Sequence, residues 1–236
     1  MILRENMLTG RGQQMITTVV FDLDGTLLDT LEDLTDSVNY ALKKFGFPER
    51  TIDEIRSFVG NGIANLIARV LPEGTENPHY DEVLKTFREY YARHCKDKTK
   101  PYDGILQMLD VLRGQGYQMA VVSNKFDAAV KELCALYFGD RIAAAVGECE
   151  KVRKKPAPDA VYQVLEELSV SAENAVYVGD SDVDLATAAN VPMTCVSVTW
   201  GFRSRAQLLA AGAKEERMIN APHQFPALLR ALSQEA

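Results

Sequence analysis

Cysteine is scarce in this chain: Cys95, Cys134, Cys149 and Cys195 are the only four in 236 residues, and no pair falls at Cys-x-x-Cys spacing. Such scatter argues against a disulfide framework and against a zinc site, and leaves reduced, mostly buried thiols as the expectation. Basic residues are in the minority, 26 Lys and Arg against 33 Asp and Glu, for a formal net charge of −7. With no basic stripe to neutralise a phosphate backbone, nucleic acid is not an expected partner. A small phosphorylated substrate stays open, because it responds to local charge in a cleft rather than to the total. No apolar run approaches the ~20 residues of a membrane-spanning helix. A membrane partner is therefore not expected, and the cytoplasm is the expected location. Internal repeats and low-complexity segments are missing as well.

What is present is ordinary for a globular protein: 47% apolar and 25% charged residues, enough for a sizeable core. The length suits one large domain, or one domain carrying a smaller insert. Residues 1–14 are polar, contain Arg4, Glu5 and Arg11, and lack the apolar segment of a secretory signal. They are expected to form a disordered extension, or to reflect a start upstream of Met15.

Five short, nearly continuous apolar runs, at residues 16–21, 118–122, 142–146, 175–178 and 194–198, suit strands of a parallel sheet covered on both faces. Helical periodicity falls between them, over residues 126–137 and 159–168, and a shorter helix is expected after Asp182. Alternating strand and helix predict an α/β fold, a doubly wound, Rossmann-like parallel sheet with right-handed crossovers.

The interval between the first two strands breaks this rhythm. Residues 30–100 read as helices only, near 31–45, 52–58, 63–71 and 80–95, punctuated by Pro48, Gly60, Gly62, Pro72, Gly74 and Pro78. That is far more chain than a crossover needs. The expected organisation is a core of residues 15–29 and 101–236 with an inserted all-helical cap domain at 30–100. The cap leaves the sheet directly after Asp22 and Asp24, where a lid over a catalytic face would have to start.

In an open α/β sheet, ligands bind beyond the carboxyl ends of the strands. Asp22 and Asp24 follow the first run, and Ser123-Asn124-Lys125 the second. Gly179-Asp180-Ser181-Asp182-Val183-Asp184 follows the fourth, and Arg153-Lys154-Lys155-Pro156 lies just before it. Taken singly, each has a plain structural explanation: an Asx turn at Asp22–Thr26, a helix N-cap at Asp180 or Asp184, a solvated charge at Lys155. Only their joint placement calls for chemistry. Crowded carboxylates repel unless a cation sits among them, and hard oxygen donors suit Mg²⁺. A carboxylate held there can attack a phosphoryl group. A second carboxylate can move protons, and a lysine can offset charge on the phosphoryl oxygens. Gly25 permits a tight turn that brings N–H groups toward phosphate.

These residues resemble the haloacid dehalogenase superfamily of phosphatases, over the span from Met15 to the C-terminal region. The resemblance rests on Asp22-Leu23-Asp24-Gly25-Thr26, Ser123, Lys155-Pro156 and Gly179-Asp180-Ser181-x-x-Asp184, in that order. It implies Asp22 as nucleophile, Asp24 as general acid and base, and Ser123 and Lys155 as holders of the transferring group. It also implies Mg²⁺ bound by Asp22, the Asp24 carbonyl and Asp180, with Asp184 in support. Dehalogenases of the superfamily lack an acid at the position of Asp24, so its presence favours phosphoryl transfer.

Within the superfamily the chain is similar to phosphoglycolate phosphatases, through Phe58-Val59-Gly60-Asn61-Gly62, Ser123-Asn124-Lys125 and Val198-Thr199-Trp200-Gly201-Phe202-Arg203. Gly25, Thr26, Asn61 and Asn124 are the expected substrate contacts. Lys154 precedes Lys155 where many relatives place glycine, and so competes with it for the lysine's role. A sugar-phosphate mutase and a nucleotide or pyrophosphate phosphatase share the same nucleophile and remain alternatives. A phosphonate hydrolase would need a cap lysine for Schiff-base chemistry, and Lys43 and Lys44 look solvated. A receiver-like signalling domain fits poorly, since its phosphorylated Asp follows the third strand. Monomer and homodimer are both compatible with the sequence.

Overall fold

Val19 and Phe21 on the first strand join one apolar cluster while Val20, between them, joins another. That alternation is what a strand buried on both faces requires. The computed structural model describes residues 15–60 and 62–235. Its strands are β1 (Thr18–Phe21), β2 (Leu28–Asp29), β3 (Lys100–Pro101), β4 (Gln118–Phe126), β5 (Ala144–Glu148), β6 (Ala175–Gly179), β7 (Thr194–Val198) and β8 (Met218–Ile219). Six of them form a parallel sheet in the order β5-β4-β1-β6-β7-β8.

The helices that pack on the sheet follow the same division. On one face lie α5 (Ile105–Gly114), α6 (Asp127–Tyr137) and α10 (Phe225–Glu235), contributing Leu109, Leu133 and Phe225. On the other lie α7 (Asp159–Glu167) and α8 (Asp182–Asn190), contributing Val161, Val164 and Ala188. A short α9 (Arg205–Ala210) follows β7. The sheet is doubly wound, and the chain reverses its direction of growth beside β1. The crevice at the carboxyl ends of β1, β4 and β6 is the switch point where such sheets bind ligands.

Four strands differ in extent from their apolar runs, β6 only in ending one residue later at Gly179. β1 starts at Thr18, although Ile16 is still buried. β5 begins two residues late, because residues 139–141 form a 3₁₀ turn after α6. β4 continues past Val122 to Phe126, and its pairing with β5 shifts register between those two residues. Ser123, Asn124 and Lys125 therefore stand in an irregular stretch, where side chains are released from the ladder. β5 approaches this stretch closely: a Cβ on Gly147 would lie 2.5 Å from the Lys125 carbonyl oxygen.

Between β2 and β3 stand α1 (Leu31–Lys44), α2 (Ile52–Phe58), α3 (Ile63–Val70) and α4 (Tyr80–His94). Helix α1 carries Glu32 and Asp33 in its first turn and Lys43 and Lys44 in its last, matching the helix dipole at both ends. Thr51 and Glu54 close a capping box on α2. The four helices bury their own core, including Val38, Leu42, Ile55, Ile67 and Phe87, and Phe202 from beyond β7 packs into it.

Both ends of this helical insert are fastened at one place. β2 and β3 pair antiparallel, Leu28 with Pro101 and Asp29 with Lys100. The buried Asp33 carboxylate accepts from Lys98 N at 3.0 Å, Thr99 N at 2.9 Å and the Thr99 hydroxyl at 2.7 Å. Ribbons this short carry no periodicity that could be read in advance. No helix among the described residues is long and apolar enough to cross a membrane.

Candidate active site

Asp22 leaves β1 still tied to the sheet, its N–H donating to the Val178 carbonyl at 2.9 Å. The N–H groups of Leu27 and Leu28 both turn back to the Leu23 carbonyl at 3.0 Å, closing a tight loop over Asp24, Gly25 and Thr26. Gly25 holds φ +86° in that loop, and a Cβ there would stand 2.5 Å from Asp180 Oδ2. Its glycine identity serves the backbone turn and the close approach of Asp180 together.

Asp22, Asp180 and Asp184 converge, with one oxygen from each lying within 4.8 Å of the others. All three are buried. Lys155 Nζ reaches into the group, 2.7 Å from Asp22 Oδ1 and 2.8 Å from Asp184 Oδ1, and the Tyr177 hydroxyl lies 3.1 Å from it. Lys154, its competitor in sequence, is exposed; Lys155 is the lysine of the cluster. Asp184 has two tasks. Its Oδ2 receives the Ser181 N–H and hydroxyl in the capping box that opens α8, while Oδ1 takes Lys155.

Three carboxylates surround one ammonium, so the cluster carries excess negative charge in a buried place. Burial, with the Asp184 charge next, pushes the Asp22 carboxyl well above its ordinary range, although Lys155 opposes this. Asp180 is pushed up to about 7, by burial and then by Asp184, against the Phe202 N–H. Burial alone would lower the Lys155 ammonium, but Asp184 and Asp22 outweigh it and hold it well above the ordinary lysine value. Hard oxygen donors, crowded and short of positive charge, fit a divalent cation such as Mg²⁺. The backbone makes room for that donor set. A Cβ on Gly179 would lie 2.3 Å from Asp184 Cγ, and one on Gly201 would lie 2.4 Å from Asp180 Oδ2.

Asp24 faces elsewhere. Its Oδ1 lies 2.9 Å from Lys125 Nζ and its Oδ2 accepts from the Ser123 hydroxyl at 3.4 Å. Lys125 is buried and also bonds the Tyr91 hydroxyl of α4. The two carboxylates of Asp22-x-Asp24 thus occupy different electrostatic settings.

The four expected substrate contacts fare differently. Asn124 spends its amide on the Lys155 backbone, accepting from N at 2.6 Å and donating to O at 3.0 Å. It fastens the lysine's loop to β4. The Thr26 hydroxyl donates to Asp180 Oδ1 at 3.2 Å, and its carbonyl accepts from the Trp200 indole at 3.0 Å. Thr26 therefore orients a carboxylate, as Gly25 accommodates one. Asn61, like the extension over residues 1–14, lies outside the described residues.

A cavity of about 90 Å³ lies above Asp22 and Asp24, reached by Ser123, Lys125, Lys155 and Asp180 from the sheet and by Val59, Ile63 and Leu66 from the insert. Arg203 borders it and donates to the Val59 carbonyl at 2.6 Å. The sequence alone gives Lys125, Tyr91, Tyr177 and Arg203 no role. Lys125 and Arg203 stand inside segments already singled out there. Tyr177 reads as one more apolar strand residue, and Tyr91 as one more helix-face aromatic.

The model of the haloacid dehalogenase-like hydrolase family matches residues 19–198. The chain belongs to that family. Among its relatives, a phosphoglycolate phosphatase of Aquifex aeolicus is 31% identical over 185 residues, 78% of this chain and 85% of that protein. One from Pseudomonas putida is 33% identical over 190 residues, 78% and 70% of the respective chains. The crystal structure of a candidate phosphoglycolate phosphatase from Lactobacillus delbrueckii subsp. bulgaricus aligns with TM-score 0.87 at 34% identity, covering 91% of this chain and 98% of that one. CbbY from Rhodobacter sphaeroides, solved in complex with phosphate, aligns with TM-score 0.74 at 25% identity, covering 92% and 100%. As a haloacid dehalogenase-like hydrolase, the chain places its acidic residues where the fold's switch point lies.

Proposed function

We propose that this hydrolase is a Mg²⁺-dependent phosphatase of small phosphate monoesters, acting through an aspartyl phosphate on Asp22, with 2-phosphoglycolate its leading substrate. The observation that carries the reading is the separation of the two neighbouring carboxylates. Asp22 sits inside the Asp180, Asp184 and Lys155 cluster, and Asp24 sits outside it, beside Ser123. An attacking group and a proton-transfer group need such different surroundings.

In the first half-reaction an Asp22 oxygen bonds phosphorus while the bond from phosphorus to the alcohol oxygen breaks. The proton on Asp24 goes to that leaving oxygen. In the second, the Asp24 carboxylate takes a proton from water as the water oxygen bonds phosphorus. The bond to Asp22 then breaks and inorganic phosphate leaves. The Lys155 ammonium and the Ser123 hydroxyl hold the phosphoryl oxygens through both steps. Asp22, Asp180, Asp184 and the Asp24 carbonyl would hold Mg²⁺, which when bound offsets charge on the phosphoryl oxygens. In this reading residues 30–100 act as a cap that closes over the core of residues 15–29 and 101–236 and keeps bulk water out.

The relatives' names and the small cavity over Asp22 support a compact substrate. One observation favours a second reading. A wider cleft of about 710 Å³ adjoins the site through Ile63, Tyr91 and Lys125, with room for a larger leaving group such as a sugar or nucleoside. A phosphate-release panel with Mg²⁺, covering phosphoglycolate, hexose phosphates, nucleotides and pyrophosphate, separates the two. Phosphoglycolate is expected to give the highest kcat/KM; a hexose phosphate or nucleotide well ahead of it would overturn the substrate.

A further inference from the structure

Lys125 is one of two buried lysines at the site, and the mechanism above gives it no work. It lies in the register shift of β4, so its direction is not dictated by the ladder. Its N–H and its Nζ meet residues bordering the cavity. Its N–H donates to the Ser123 hydroxyl at 3.1 Å and its Nζ meets Asp24 Oδ1 at 2.9 Å. The Ser123 hydroxyl in turn reaches the other oxygen of Asp24, at 3.4 Å. Lys125 Nζ thus fixes Oδ1 of the proposed acid and base directly, and the Ser123 hydroxyl holds Oδ2 until a phosphoryl oxygen takes its one proton. The bond to Oδ1 restricts rotation about the carboxylate's terminal bond, which fixes where its proton points.

The third partner comes from the insert. The Tyr91 hydroxyl bonds Lys125 Nζ, which also sits 4.6 Å from the centre of the Tyr91 ring. Tyr91 itself is buried and stacks on Phe87 within the core of the helical insert. A buried ammonium needs its partners, because burial without them costs heavily. Moving α4 away from β4 would take one partner from Lys125 and admit water to the pair with Asp24.

We infer that Lys125 is a positioning residue that fixes the Asp24 carboxylate for proton transfer, and that its bond to Tyr91 ties this orientation to docking of the helical insert. The inference rests on the reading of Asp24 as the acid and base. In this inference Lys125 acts through the group it meets directly, the Asp24 carboxylate 2.9 Å from its Nζ.

The test exploits leaving groups. An alkyl phosphate such as 2-phosphoglycolate needs a proton on its leaving oxygen, whereas p-nitrophenyl phosphate does not. General acid catalysis contributes about 10²–10⁴-fold. Lys125→Met should therefore slow phosphorylation by phosphoglycolate about 100-fold in rapid-quench experiments. The p-nitrophenol burst should fall less than about 5-fold, with slowed steady-state turnover because water activation also needs Asp24. Lys125→Arg should restore part of the loss. Tyr91→Phe, which keeps the ring, should slow phosphoglycolate about 10-fold and leave the burst unchanged. Proportional losses on both substrates, or no loss, in both Lys125→Met and Tyr91→Phe would overturn the inference. Asp24→Asn separates it from the reading beneath. A leaving-group effect in Asp24→Asn with none in the Lys125 variants removes the inference alone. No such effect in Asp24→Asn removes the role of Asp24, and the inference with it.

Discussion

The guanidinium of Arg203 donates to the carbonyl of Val59 at 2.6 Å, joining the loop after β7 to the end of helix α2 in the insert. The same side chain reaches Asp182 Oδ1 at 3.3 Å, so it links α8 to the helical insert across the cavity's rim. Gly60 follows Val59, and a Cβ there would stand 2.8 Å from Arg203 Nη2.

Arg203→Met keeps the aliphatic stem and removes these bonds. A hydrogen bond to a charged group is worth about 1.5–3 kcal/mol, and ~1.4 kcal/mol is tenfold in an equilibrium. In the proposed open state of residues 30–100, water returns part of this. We expect KM for phosphoglycolate to rise about tenfold and kcat to change less than about threefold, measured by steady-state phosphate release. An unchanged KM would show that Arg203 does not hold the cap.

Gly201 tests the cradle around Asp180 by sterics alone. A Cβ at this position would lie 2.3 Å from the Gly25 carbonyl oxygen and 2.4 Å from Asp180 Oδ2. The first of these is backbone and cannot swing aside. Gly201→Ala should raise the Mg²⁺ needed for half-maximal rate at least about tenfold and cost roughly 1–3 kcal/mol of stability. Gly212 serves as the control: its φ is +97°, but an added Cβ meets nothing within 4 Å. Gly212→Ala should lower Tm through backbone strain and leave the Mg²⁺ requirement where it was.

How much of this was legible beforehand follows from the physics of each residue. Asp22 and Asp180 follow strand ends, Ser123 follows the regular part of β4 and Asp184 sits in the first turn of α8, places that hydrophobic runs mark well; Lys155 lies in the loop between β5 and α7, where only the family resemblance points to it. The helices of the insert are marked in the sequence by periodicity and by glycine and proline punctuation. Lys125 and Tyr91 are not, because their partnership joins positions 34 residues apart through a hydroxyl and an ammonium, which leaves no pattern in a single chain. The sequence offers Asn124 and Thr26 as substrate contacts. Their side chains turn inward instead, to the Lys155 backbone and to Asp180. Sequence position could bring them to the site but not say which way they face.

The carboxyl of Asp180, pushed up to about 7 by burial and Asp184, sets a pH dependence for the metal-free protein. In the unfolded chain an aspartate titrates near ~3.9. Between these values the folded state keeps a proton that the unfolded state has lost. The resulting stabilisation is complete below about pH 4 and disappears as pH rises through about 7. Mg²⁺ takes the charged form, so its stabilisation grows in the same direction. Differential scanning calorimetry in EDTA and in excess Mg²⁺ should show a larger Mg²⁺-dependent rise in Tm at pH 8 than at pH 5.5. An equal rise at both would contradict the metal site drawn at Asp180.

Asp22 offers a test that separates attack on phosphorus from metal holding. Asp22→Asn keeps the shape of the side chain and one oxygen for Lys155, which lies 2.7 Å away. It also removes one of three buried carboxylates grouped around a single ammonium. With that repulsion gone, the metal-free variant should melt above the wild type at pH 8, where the cluster is most charged. Activity should move the other way. If Asp22 served only to hold Mg²⁺, raising the metal concentration would restore most of the rate. An amide cannot form the acyl phosphate, so turnover should stay at least about 10⁴-fold below the wild type at saturating Mg²⁺, a loss of the size that removal of a nucleophile causes. Recovery to within 100-fold would refute Asp22 as the nucleophile while leaving the metal site intact.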